Sequence, residues 1–267
     1  MFDTGSQVTT FSLRDLVWRC SKLQALQFTS ASVSMDVPFW QLAVDTPDIQ
    51  DLALDYCRII LASPSGAISL HHVRRLYLSS LHRPNSTVGA LLLALEAPSL
   101  DTLFILDITE SSPDSKDLEN AVCKFAPRLR TFGVTLTDGM TLAASTWSSF
   151  TILKSLTLSH EEGLADLSKH LPTALDQLRI RPFAEQSSTF AHLLATFRNP
   201  PSSLASLQTL SIPPVAPFGT SADERRASMA NRDEVVRICN QRGVEVQEVL
   251  LFYDGGYPDF MEDMLDC

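Results

Sequence analysis

Eight short segments along the chain place apolar residues at their first, fourth and sixth positions, with mostly polar residues between them. They are residues 23–28, 49–54, 73–78, 100–105, 129–134, 153–158, 175–180 and 207–212, so their starts lie 26, 24, 27, 29, 24, 22 and 32 residues apart. Chance would not keep that rhythm. The last two apolar positions of each segment are one residue apart, the spacing that puts both side chains on one side of a β-strand. A ninth, degenerate strand, Val-Glu-Val-Gln-Glu-Val-Leu-Leu over 244–251, follows after a longer interval.

Between these strands the pattern changes to helical spacing. Helices are predicted over 86–97, 115–126, 163–171 and 187–198, which stop before Pro98, Pro127, Pro172 and Asn199-Pro200. Proline cannot continue a helix and biases its predecessor away from helical dihedrals, so each one hands the chain back to a strand. Residues 12–20 make a first helix of the same kind, and Ser115 is a good N-cap for its own. The end of the chain departs from the rhythm: a breaker-rich loop at 213–219 precedes a long charged helix over 221–242, with Gly243 as its C-cap.

Residues 49–59, Ile-Gln-Asp-Leu-Ala-Leu-Asp-Tyr-Cys-Arg-Ile, extend the strand pattern to L-x-x-L-x-L-x-x-[N/C]-x-L and in this resemble a leucine-rich repeat. In that pattern the Asn or Cys satisfies backbone groups where the chain leaves the strand. One unit cannot bury its own apolar face, so such repeats stack. The resemblance implies an α/β leucine-rich-repeat solenoid, a horseshoe with a parallel sheet on the concave face and helices on the convex face. We expect about nine irregular repeats over 1–252, then an acidic, partly disordered tail over 253–267.

Composition narrows the function. Twenty-one Lys and Arg against 31 Asp and Glu leave a net charge of −10, with no basic run, which argues against nucleic acid or an anionic membrane as the main partner. The longest apolar run, 90–95, is far below the ~20 residues of a membrane span, and Met1-Phe-Asp does not open like a signal peptide. Five scattered cysteines read as reduced, mostly buried thiols, so a cytoplasmic or nuclear location is expected. The sequon at Asn85-Ser86-Thr87 then reads as a turn into a helix.

Candidate chemistry is sparse. Asp3-Thr4-Gly5 resembles the signature of pepsin-like aspartic proteases, but that chemistry needs a second carboxylate from another such motif, and no second copy is present. An aspartic-type hydrolase using Asp3 is therefore a remote alternative. The six histidines show no metal-ligand spacing, and Gly at 10 of 267 residues offers no phosphate-binding loop. We expect no enzyme, metal or cofactor. Arg225-Arg226-Ala227-Ser228 fits a kinase site directed by arginines and is read as a solvated helix face.

A binding surface remains. Residues flanking the two inward positions of each strand point to the concave side. They line up as Asp51, Ala53, Asp55; Arg75, Tyr77, Ser79; Thr102, Phe104, Leu106; Thr131, Gly133, Thr135; Ser155, Thr157, Ser159; and Gln177, Arg179, Arg181. The partner-binding set expected from this is Asp51, Asp55, Arg75, Tyr77, Phe104, Leu106, Arg179 and Arg181, with exposed aromatics beside an arginine as its centre. The apolar run 103–106 does not reveal its facing, so Phe104 and Leu106 belong either to that surface or to the core.

Three features also resemble the repeat region of the F-box/leucine-rich-repeat proteins abundant in fungi: Pro98-Ser-Leu-Asp-Thr-Leu-Phe-Ile105, helices ending in Ala-Pro, and Val235-Val-Arg-Ile-Cys-Asn-Gln-Arg-Gly243 before a last strand. The resemblance covers roughly 10–252. It implies a non-catalytic protein-interaction module akin to the substrate-recognition repeats of ubiquitin-ligase receptors, whose F-box docks on a cullin-RING adaptor. The residues before Phe11 are too few for an F-box, so no F-box residue is carried over. The expectation divides between a truncated product of a longer ligase receptor and a repeat-only relative or scaffold without a ligase link.

Overall fold

A computed structural model describes residues 23–29, 35–38, 48–55, 57–60, 68–79, 88–108, 115–136, 142–158, 164, 169–180, 190–215 and 221–248. Nine parallel strands follow one another in chain order, interleaved with helices, which makes the chain α/β. The chain forms two compact units, Met1–Leu129 with Leu136–Thr141, and Arg130–Thr135 with Leu142–Cys267.

In the first unit β1 (Ala25–Thr29) is followed by β2 (Met35–Pro38), β3 (Asp51–Asp55), β4 (Cys57–Ile60), β5 (Ile68–Ser69) and β6 (Arg75–Ser79). Then come α1 (Val88–Ala94), β7 (Leu95–Glu96), β8 (Thr102–Ile108) and α2 (Ser115–Phe125). Strands β1, β3, β6 and β8 pair in parallel, with Ala25, Asp51, Arg75 and Thr102 in one register row. Two short parallel ladders, β2 with β4 and β5 with β7, lie outside that row.

The apolar spacing explains the strands. Leu52, Leu54, Leu76, Leu78, Leu103 and Ile105 alternate onto one side of their strands and are almost wholly buried, as are the segment-opening residues Ile49, Val73 and Leu100. Each strand is then held in step by the same backbone device. The carbonyl of Gln24 accepts from the amides of Gln50 and Asp51, that of Gln50 from Arg74 and Arg75, and that of Arg74 from Asp101 and Thr102. Two amides on one carbonyl satisfy the donors at each strand entry and fix the register of the next strand.

Helix α2 buries Leu118, Ala121, Val122 and Phe125, an i, i+3, i+4, i+7 stripe. It lies so close to α1 that a Cβ on Gly89 would meet Leu118 N at 2.4 Å and Asp117 C at 2.5 Å. Lys124 of α2 donates to Leu93 O at 2.8 Å and Leu95 O at 2.7 Å, capping the C-terminal end of α1, where positive charge is favoured. Burial lowers the pKa of its ammonium.

In the second unit β9 (Thr131–Leu136), β10 (Ser155–Leu158), β11 (Gln177–Ile180), β12 (Thr209–Ile212) and β13 (Glu245–Glu248) pair in parallel, Thr131, Ser155, Gln177, Thr209 and Glu245 sharing a row. The same device recurs: Arg130 O, Lys154 O and Asp176 O each accept from two amides of the following strand entry. Its helices include α3 (Ala144–Ser148), α4 (Ala191–Arg198) and α5 (Ala222–Gln241). Phe132 of β9 lies 4.9 Å from Phe150 between ring centroids, the planes tilted by 38°, and meets Trp147 of α3 edge-on at 6.1 Å, the largest buried aromatic cluster described.

The helices differ in detail from expectation. Pro127 sits inside a 3-10 turn, Ala126–Arg128, at a position whose missing N–H costs nothing. Helix α1, described from Val88, gives way to β7 at Leu95, before Pro98 is reached. Helix α3 carries no signal that the apolar spacing revealed. Residues 12–20 and 253–267 lie outside the described residues. Helix α5 opens on a capping box: Ser221 Oγ accepts from Glu224 N, and Glu224 Oε2 accepts from Ser221 N at 2.8 Å. Among the described residues no helix is long and apolar enough to cross a membrane.

Candidate functional site

The side of β1, β3, β6 and β8 opposite the leucine rows carries the side chains that do not repeat. Strand pairing puts them in three rows: Ala25, Asp51, Arg75, Thr102; then Gln27, Ala53, Tyr77, Phe104; then Asp55, Ser79, Leu106. Six of the eight residues expected to bind a partner, Asp51, Asp55, Arg75, Tyr77, Phe104 and Leu106, therefore share one sheet side.

The first row contains a bidentate ion pair. Arg75 Nε donates to Asp51 Oδ1 at 2.5 Å and Nη2 to Oδ2 at 2.7 Å, with the side chains 27% and 11% exposed. A planar guanidinium fork matched to a carboxylate in part-buried surroundings is well oriented, because neither group is free to reorient in solvent. In the next row Tyr77 and Phe104 lie with ring centroids 6.1 Å apart and planes tilted by 48°, within the range of favourable aromatic pairs.

Exposure corrects part of the expected surface. Tyr77 was expected as an exposed aromatic, yet it is only 5% exposed, and Leu106 and Ser79 are as deeply buried. Tyr77 stands between Ala53 and Phe104 on strands less than ~5 Å away, which screens both flanks of its ring. Leu106 thus lies on the same strand side as Phe104 but is core in character, whereas Phe104 is half-buried. Arg75 and Asp55 are half-buried too, and Asp51 is buried.

Cys57 closes the turn out of β3. Its Sγ donates to Asp55 O at 3.2 Å and to Phe28 O at 3.7 Å, so one thiol joins its own strand end to the strand end before it. The residue is fully buried. Burial pushes its pKa up from 9.0 to about 12, the Asp55 carbonyl contact pulls it back in part, and the Asp55 charge raises it further. The thiol is therefore neutral and serves as a hydrogen-bond donor, not as a nucleophile.

The second unit contributes less. Arg179 on β11 is half-buried, in register with Thr157 and Ser211. Arg181 and Asp3 lie outside the described residues, as do His82 and His160. His71, His72, His170 and His192 are exposed; His71 Nε2 and Ser69 Oγ are 2.8 Å apart. Among the described residues no three His, Cys, Asp or Glu side chains gather into a group that could hold a metal ion.

Reasoning from the sequence missed β1 as part of the surface. Ala25 and Gln27 are exposed and continue the rows of Asp51 and Ala53. The signal was there, since segment 23–28 has the same spacing as the others. No family model, curated protein or solved structure matches this chain.

Proposed function

We propose that the chain is a non-catalytic protein-interaction module, a leucine-rich-repeat solenoid related to the substrate-recognition repeats of F-box ubiquitin-ligase receptors. The observation that carries this reading is the strand register in the first unit. Equivalent backbone positions recur strand after strand, while the side chains they display, Gln27, Arg75, Thr102 and Phe104 among them, differ on every strand. A repeating scaffold with a non-repeating face is suited to reading one extended protein surface.

Two further features support the repeat assignment. A carbonyl that accepts two amides stands at the second position of six of the segments, and Cys57 fills the pattern's Asn or Cys position with the backbone contacts that position requires. The partner is a protein whose apolar side chain packs on Phe104 and whose polar groups meet Gln27, Arg75 and Thr102. Phe104 is the anchor because aromatics lose little entropy on binding and bury a large area.

The test is affinity purification of the chain from its native cells, with mass spectrometry scored for cullin-RING subunits. Adaptor and cullin together would support the ligase relationship; a partner retained without them supports a stand-alone module. Phe104→Ser should reduce capture at least tenfold, while Leu93→Ser, a control at an exposed helix residue, should not. Unchanged circular dichroism and melting temperature show that the fold survives. Equal capture by both variants would overturn the strand-face assignment.

A further inference from the structure

We propose that Ser228 is a phosphorylation site that becomes available when the first two turns of α5 open. The sequence Arg225-Arg226-Ala227-Ser228 presents two arginines three and two residues before the hydroxyl, the arrangement that an acidic kinase groove recognises through paired carboxylates. Read from sequence alone it is a solvated helix face. The structure separates the recognition elements from the acceptor: residues 221–227 are all exposed, whereas Ser228 is 7% exposed and is the first buried residue of the helix.

Two side-chain contacts that close the opening turns lie at the surface. They are the capping box between Ser221 and Glu224 and an ion pair between Arg226 and Asp223 whose side chains are 77% and 87% exposed. Glu224 is held below its ordinary carboxyl range by the Ser221 amide and hydroxyl. After Ser228 the next buried residues are Val235 and Cys239, about two turns further on. Residues 222–228 thus carry no large apolar side chain of their own, and segments with few buried apolar groups open at far lower free energy than a core helix.

In the opened segment the Ser228 Oγ attacks the γ-phosphorus of a nucleoside triphosphate bound to the kinase. The Oγ–P bond forms, the P–O bond to the nucleoside diphosphate breaks, and the hydroxyl proton passes to the kinase's carboxylate base. The product carries about −1.5 to −2 charges at neutral pH and cannot return to a buried position without losing its hydration. It is favoured instead at the new N-terminus of the remaining helix, 229–241, beside unsatisfied amides and the positive end of the helix dipole. Phosphorylation therefore converts a transient opening into a lasting one.

The test uses the full chain, a purified arginine-directed serine kinase and magnesium-ATP, with the phosphate located by mass spectrometry. A synthetic peptide of residues 221–235 is the accessible reference, and Ser221→Ala with Glu224→Gln removes the capping box from an exposed position. We expect the peptide to react fastest, the folded chain to react at Ser228 at least tenfold more slowly, and the capping variant to gain about fivefold. Phosphorylated chain should lose helical circular dichroism, and Ser228→Ala should take no phosphate at that position. Resistance of the peptide or the folded chain, or equal rates for the wild type and the capping variant, would overturn the proposal.

Discussion

The two units are built from the same strand and diverge on its other side. Leu76 and Leu78 in the first unit and Leu156 and Leu158 in the second occupy equivalent rows and are all buried. Opposite them, the first unit displays Asp51, Arg75, Tyr77, Phe104 and Leu106, with an ion pair and an aromatic pair, whereas the second displays Gly133, Thr157, Arg179, Ser211 and Gln247. Large side chains cover one another, so the first unit's face is partly core. The second unit's residues are smaller but no less enclosed: Gly133 is buried, and Thr157 and Ser211 are each 5% exposed, like Tyr77. One side of the strand thus keeps large apolar residues throughout, whereas the other varies in size and chemistry between the units.

The largest expected effect comes from position-equivalent truncation. Tyr77→Ala removes a buried ring and its contact with Phe104 and should cost about 3 kcal/mol, while Thr157→Ala, at the matching position of the second unit, should cost under about 1 kcal/mol. Denaturant melts of the two variants check this, and similar losses would erase the distinction between the faces.

Next comes the ion pair. Arg75→Ala should cost about 2 kcal/mol because it leaves Asp51 part-buried without its partner, and adding Asp51→Ala should recover part of that loss. Lys154→Ala, which breaks the exposed pair with Asp176 at 3.4 Å in the second unit, should change stability by less than about 0.5 kcal/mol. A double-mutant cycle without coupling between Asp51 and Arg75 would mean that the pair does not organise the first unit's face.

The smallest effect belongs to Cys57 and depends on pH. Its folded pKa of about 12 stands above the ordinary 9.0, so the contribution of its protonated thiol is complete below pH 9 and is lost as pH rises towards 12. Compared with Cys57→Ser, the wild type should lose about 1 kcal/mol between pH 8 and pH 10. A pH-independent difference would mean that the thiol is not held between β1 and β3 as described.

Much of the strand architecture was legible because the information is local. An apolar residue, two intervening positions and an alternating pair define where a strand enters, and all nine expected strands begin two residues after the first apolar position or one after Val244. Helix ends were less legible. Proline forbids continuation of a helix but does not say how early it stops, as α1 shows, and the five-residue α3 is too short for periodicity to declare itself.

By itself the sequence determined strand spacing, the identity of the buried rows and the register that aligns Tyr77 with Phe104, since these follow from periodicities of two and of some 25 residues along one chain. Only the tertiary structure decided the depth of the other face. Whether Tyr77, Leu106 or Ser228 meets solvent depends on what other parts of the chain bring beside it, and that is a property of packing which no local pattern encodes.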